Sequence, residues 1–132
     1  LTYRLNHADS DVVILCPNRI DFLARFPKID AVWAQDDDIA IGVIQAVRQA
    51  RRQDDLFIVG GGGMKDMVKR VMDGDQLTPV DVLYPPAMIE TAMELTVLKF
   101  TSQIPVSGEY ILGSPLINQE NAADYYFPDS PF

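Results

Sequence analysis

Short apolar runs alternate with amphipathic segments along the 132 residues of this chain. The apolar runs lie at residues 12–15, 31–34, 56–59 and about 80–84. Each is followed by a segment in which apolar residues recur at helical spacing. Short strands separated by helices are typical of a parallel sheet. The pattern therefore predicts an α/β fold with three layers, in which helices flank a parallel sheet.

Four helices are expected after these strands, and their predicted positions are residues 18–26, 36–52, 64–72 and from Pro85-Pro86 to about residue 100. Proline near the first helical position needs no amide partner, which favours a helix start there. Beyond residue 103 the pattern weakens. One further short strand is predicted at residues 110–112, and the rest of the tail is expected to be irregular.

Length and charge narrow the class of protein. A chain of this length buries one hydrophobic core, so we expect one domain. Nineteen acidic and eleven basic side chains give a formal charge of -8, which repels nucleic acid and anionic lipid. Cys16 is the only cysteine, so no internal disulfide forms. No run approaches the length of a membrane span, and residues 1–11 lack the features of a secretion signal.

The carboxyl ends of parallel strands are where open α/β sheets bind their ligands. Here that rule indicates residues 35–38, 60–64 and 84–86. Three consecutive carboxylates, Asp36, Asp37 and Asp38, follow the second strand. One of them is suited to accept hydrogen bonds from adjacent sugar hydroxyls; helix capping explains the same residues. Their spacing does not match a calcium loop, so no metal is expected.

Four glycines at residues 60–63 separate the third strand from its helix. Such a loop suits a phosphate, an uncharged ligand that approaches the backbone closely, or simply a tight turn. The phosphate-loop and dinucleotide motifs both fail, because Met64 and Lys65 follow the glycines. Trp33 lies inside a strand, which predicts a core position. Tyr84 lies at a strand end, which leaves both core packing and stacking on a sugar ring open.

No catalytic machinery is evident in the sequence. His7 is the only histidine, and no serine lies in a nucleophile motif. We therefore expect a protein that is not an enzyme and that uses no cofactor.

Residues 26–42 carry the most specific pattern in the chain. A strand ends there in Ala-Gln-Asp-Asp and leads into a helix with Ala-Ile-Gly. This segment resembles the ribose-binding type of periplasmic receptor that serves ABC importers. Residues 58–60, 71–74, 82–86 and 118–126 resemble later parts of the same family.

The resemblance implies the carboxy-terminal lobe of a two-lobed receptor with a flavodoxin-like fold. Residues 1–132 then form one lobe, in which residues 1–20 match poorly and residues 104–132 form the irregular tail. Its implied partners are a neutral sugar or polyol and an ABC permease, with no nucleic acid and no membrane insertion. It implies a periplasmic location, although this chain shows no signal peptide.

The resemblance also implies the binding residues. Asp36 matches the ligand-binding Asn or Asp of the family. Gly62 falls where many members carry a binding Asp, and Tyr84 where many carry Gln or Asn. A backbone contact at Gly61 or Gly62 and stacking by Tyr84 are the expected substitutes, and Gln35 completes the expected set.

The opening strand of the family's second lobe has no counterpart before residues 12–15. In a sheet of order 2-1-3-4-5 that strand is central, so its absence predicts exposed edges and a possible homodimer. Two alternatives remain open from the sequence. One is the effector-binding domain of a LacI-type transcription regulator, and the other is an enzyme that acts on a sugar phosphate.

Overall fold

The computed structural model describes residues 2–7, 10–15, 22–84, 87–101 and 105–131. Its strands are β1 (Thr2–His7), β2 (Ser10–Leu15), β3 (Ala31–Ala34), β4 (Phe57–Val59), β5 (Asp81–Val82) and β6 (Leu116–Ile117). Its helices are α1 (Phe22–Arg25), α2 (Asp37–Gln49), α3 (Lys65–Met72), α4 (Met88–Phe100) and α5 (Ala122–Tyr125).

The sheet is mainly parallel, as predicted. Four strands lie in the order β1-β2-β3-β4, in which β2, β3 and β4 are parallel and β1 is antiparallel to β2. Two isolated parallel bridges, Val59 with Val80 and Gly62 with Leu83, connect β4 to the β5 region. The carboxyl ends of β3, β4 and β5 therefore meet at one edge. The α/β fold class is confirmed.

Most predicted elements lie where the apolar runs place them. The strand at residues 31–34 has the predicted bounds, and α2, α3 and α4 fall within their predicted helices. Residues 18–21, Pro85 and Pro86 lie outside the described residues. The strand predicted at residues 110–112 was wrong: these residues are exposed and pair with no strand, whereas Leu116–Ile117 pairs with β5 because Ile117 is buried there. Strand β1 was not predicted, because residues 2–7 contain no apolar run.

The expectation that a central strand is missing between residues 12–15 and residues 31–34 was also wrong. β2 lies directly against β3 from Val12 opposite Ala31 to Leu15 opposite Ala34. β1 then pairs along the full length of β2. The amino-terminal hairpin therefore covers the edge of β3, and β1 is the end strand of the described sheet.

The main core lies between α2 and one face of β3 and β4. Val32 and Ile58 on the strands pack with Val43 and Val47 of the helix, and all four are buried. Side chains alternate across a strand, so Trp33 points to the opposite face. Its exposed fraction is 45%, which corrects the predicted core position of Trp33.

A second cluster fixes the tail of the chain. Val68 and Val71 of α3 pack against Ile117 and Ala122, and Tyr125 lies against the same cluster. The Lys65 ammonium also donates hydrogen bonds to the carbonyls of residues 128 and 130, at 3.3 and 2.8 Å. These contacts hold residues 122–130 beside the start of α3.

Helix α4 differs from the other long helices because none of its residues is buried. Ile89, Met93, Val97 and Phe100 are all exposed. An apolar surface of this kind often marks a site of association.

Within the described ranges, no helix has the length and apolar character needed to cross a lipid bilayer.

Candidate functional site

A cavity of about 400 Å³ opens at the carboxyl ends of β3, β4 and β5. Three carboxylates line one side of it. The glycine loop, which is the loop of residues 60–63 between β4 and α3, lines its floor. The tail supplies the remaining wall. The lining residues are Asp36, Asp37, Asp38, residues 61–64, Leu83, Tyr84, Tyr125, Phe127 and Ser130. The cavity therefore lies where the strand-end rule predicts a ligand site.

The two oxygens of the Asp36 carboxylate make different contacts. Its Oδ1 accepts a hydrogen bond from the Asp38 amide at 3.0 Å, which caps α2. Its Oδ2 lies 3.4 Å from the Tyr84 hydroxyl, which is a long contact. The charge of Asp36 raises the pKa of Tyr84, so this phenol stays protonated and donates. Asp36 therefore keeps hydrogen-bonding capacity on the cavity side.

Asp37 is buried and serves the fold. Its exposed fraction is only 2%, and its two oxygens accept hydrogen bonds from the amides of Gly61 at 2.9 Å and Met64 at 2.7 Å. Charge-assisted bonds of this kind are stronger than neutral ones. Asp37 thus connects the start of α2 to the glycine loop, a role that sequence reasoning did not assign to it.

The amides of the glycine loop are turned inward. Gly61 and Met64 donate to Asp37, and Gly62 donates to the Val82 carbonyl at 2.8 Å. A phosphate would need these same donors. The loop therefore holds an internal carboxylate in the position in which a phosphate loop holds its anion.

Close packing explains two of the glycines. A Cβ on Gly60 would collide with Oδ1 of Asp37 and lie 2.8 Å from Oδ1 of Asp81. Gly63 has a φ of 84°, which side chains rarely adopt, and a Cβ there would collide with Leu83. The glycines therefore allow the loop to pack closely against Asp37, Asp81 and Leu83.

Asp81 forms a buried acid pair with Asp37. Its exposed fraction is 0%, its Oδ1 accepts from the Val82 amide at 2.8 Å, and its Oδ2 has no hydrogen-bond partner in the described part of the chain. Burial, together with the charge of Asp37, raises the pKa of Asp81 to about 7. Burial also raises the pKa of Asp37, while the amides of Met64 and Gly61 oppose that change. Below about pH 7, a proton on Asp81 thus lets the two carboxyls lie close together with one charge between them.

The structure brings most of the predicted site residues together. Asp36, Gly61, Gly62 and Tyr84 all line the cavity. Gln35 is exposed and, as far as the described residues extend, lies outside the lining.

Sequence reasoning missed several other residues of this site, namely Asp81, Leu83, Tyr125, Phe127 and Ser130. Asp81 had a detectable signal, because a carboxylate within an apolar strand is rarely buried without a partner. The tail residues had none, since only the fold brings them to the strand ends.

Comparison with known proteins places the chain in a class. Residues 20–99 match the family model of the periplasmic binding protein domain. The match covers more than half of the chain, which therefore belongs to this family.

Two kinds of relative agree with that assignment. The ribose import binding protein RbsB of Escherichia coli (strain K12) is 37% identical over 54 residues, which are 41% of this chain and 18% of that protein. A solute binding protein of an ABC transporter from Mycobacterium smegmatis, solved with bound glycerol, is 27% identical with a TM-score of 0.70. The match covers 83% of this chain and 37% of that one.

A second similar structure is a periplasmic domain. It is the fructose binding periplasmic domain of a hybrid two component system, with 26% identity, a TM-score of 0.65 and coverage of 80% of this chain and 35% of that one. The chain thus spans about a fifth of the length of the curated relatives it matches and about a third of the similar structures.

Gly60→Ala is expected to lower the free energy of unfolding by about 2–3 kcal/mol, because the added methyl group overpacks the buried acid pair. Gly42→Ala is the matched control. Gly42 lies in α2 with no atom within 4 Å of an added Cβ, so alanine should raise stability by about 0.5–1 kcal/mol. Urea unfolding of both variants measures the difference. Equal effects would contradict the close approach at Gly60.

Asp81→Asn is expected to change how stability depends on pH. Between the ordinary value of 3.8 and about 7, folded Asp81 binds a proton that the unfolded chain has lost. Its contribution is therefore complete below about pH 4 and is lost as the pH rises through about 7. Asparagine keeps a donor and removes this titration.

The stability of Asp81→Asn relative to the original chain should thus rise with pH across that window, by at most about 4 kcal/mol. Urea unfolding at several pH values provides the measurement. Val71→Ala serves as the control, because it removes buried apolar atoms and no titrating group, so its difference from the original chain should not vary with pH. The raised pKa of Asp81 is refuted if the stability difference between Asp81→Asn and the original chain also does not vary with pH.

Proposed function

We propose that this chain captures a sugar or polyol, neutral ones included, as the carboxy-terminal lobe of a receptor that delivers its ligand to an ABC permease. The observation that carries the proposal is the cavity in which Asp36 and Tyr84 meet at the strand ends. A carboxylate accepts hydrogen bonds from neighbouring hydroxyl groups, and an exposed aromatic ring stacks on the apolar face of a sugar. The family assignment supports the same function and a periplasmic location.

Capture without chemistry is part of the proposal. A pair of carboxyls that shares one proton is a familiar catalytic device. Here, however, Asp37 and Asp81 are only 2% and 0% exposed, and the oxygens of Asp37 are bonded to loop amides. Asp37 thus offers little surface to the cavity, and Asp81 is not among the described residues that line it, so their arrangement supports a structural role.

A thermal-shift screen of the whole chain tests ligand capture. We expect one or a few pentoses, hexoses or polyols to raise the melting temperature, because a ligand that binds only the folded state stabilises it. Asp36→Ala should abolish the shift. Asp54→Ala is the control. Asp54 is exposed in the turn before β4, whereas the cavity lies at the other end of that strand. Cooperative melting without a shift from any sugar, polyol, sugar phosphate or nucleotide would refute ligand binding by this chain.

We also propose that two copies associate through the sheet edge. β1 is the end strand of the described sheet, and an end strand offers backbone groups for pairing. Sedimentation at increasing concentration should show a dimer. Met93→Lys, on the exposed face of α4, should leave that dimer intact. A monomer at every concentration would exclude association, and loss of the dimer in Met93→Lys would place the contact on α4 instead.

A further inference from the structure

We propose that the cavity prefers sugars or polyols that carry a protonated amino group over their neutral counterparts. This inference rests on the proposed function, because it concerns the same cavity. It starts from an imbalance between hydrogen-bond acceptors and donors in the cavity wall.

Acceptors dominate the wall. Asp36 lines the cavity, and its Oδ2 has only a long contact with the Tyr84 hydroxyl, while Asp38 is an exposed residue of the same lining. No lysine or arginine is among the described residues that line the cavity. The nearby Lys65 ammonium donates to the carbonyls of residues 128 and 130. The local charge of the wall is therefore negative.

Few backbone amides of the cavity wall can donate a hydrogen bond to a ligand, because they already bond within the protein. The amides of Gly61 and Met64 bond to Asp37, and the Gly62 amide bonds to Val82. A ligand that binds this wall must supply donors of its own. Each hydroxyl group supplies one, whereas an ammonium group supplies three and adds a positive charge.

Aromatic rings complete the match to a cation. Tyr84 and Phe127 are 46% and 64% exposed, and both line the cavity beside the carboxylates. An ammonium group held over such a ring is attracted by its negative face. Carboxylate and ring together thus favour an amine at the point where Asp36 and Tyr84 meet.

Matched ligand pairs test the preference on the whole chain. Calorimetric titration would compare D-glucosamine with D-glucose and N-acetyl-D-glucosamine, D-galactosamine with D-galactose, and 1-amino-1-deoxy-D-sorbitol with D-sorbitol. The buffer should be phosphate, because Tris is itself an aminated polyol. In at least one pair the amine should bind about tenfold or more tightly, since a hydrogen bond to a charged partner is stronger than a neutral one.

Two asparagine variants separate Asp36 from the general charge. Asp36→Asn keeps an oxygen that can cap α2. Both ligands of a pair lose the carboxylate as a hydrogen-bond acceptor, but only the amine also loses a charged partner, so most of its tenfold advantage over the neutral ligand should disappear. Asp54→Asn removes the same charge at an exposed turn outside the cavity. It should leave the preference intact.

The possible results separate this inference from the function beneath it. Equal or weaker binding of every amine, with binding of neutral sugars, overturns the inference and leaves sugar capture standing. A preference that survives Asp36→Asn, or that disappears in Asp54→Asn, overturns it as well. Binding of ethanolamine as tightly as any amino sugar, or binding of no ligand at all, overturns both.

Discussion

The carboxylate of Asp37 is the contact on which the rest of this site depends. It joins the start of α2 to the loop that follows β4, through amides at 2.9 and 2.7 Å. Two strand ends that are distant in sequence are thereby held at a fixed separation. Gly60 permits the close approach, and the raised pKa of Asp81, about 7, lets a second carboxyl lie beside the first without a second charge at lower pH. The position of Asp36 in the cavity follows from this arrangement, because Asp36 precedes Asp37 directly.

Much of the fold could be predicted from the sequence because its apolar runs are short and well separated. The strand at residues 31–34 and the helix after it bury one regular face, which leaves a clear pattern. The apolar run at residues 12–15 predicted β2, but β1 could not be predicted, since its place in the sheet depends on pairing with β2. Trp33 shows the same limit: its residue type favours burial, but the side of the strand on which it lies exposes it.

The candidate site divides in the same way. The rule that ligands bind at strand ends found Asp36, Gly61, Gly62 and Tyr84, because these positions follow from the order of the elements. It could not tell which of three adjacent aspartates turns inward, since that depends on where loop amides lie. Nor could it find Phe127, which reaches the cavity only because α3 packs against the tail. Position along the chain predicts the location of the site, and tertiary packing determines its chemistry.

The inward-facing glycine loop has a consequence for how quickly the proposed ligand would be captured. A loop that becomes ordered only around its ligand loses conformational entropy at that moment and slows association. Here the internal carboxylate has already ordered the loop, so this wall of the cavity meets the ligand in its final shape. Under the proposed function, any rearrangement that accompanies capture is therefore expected outside the loop.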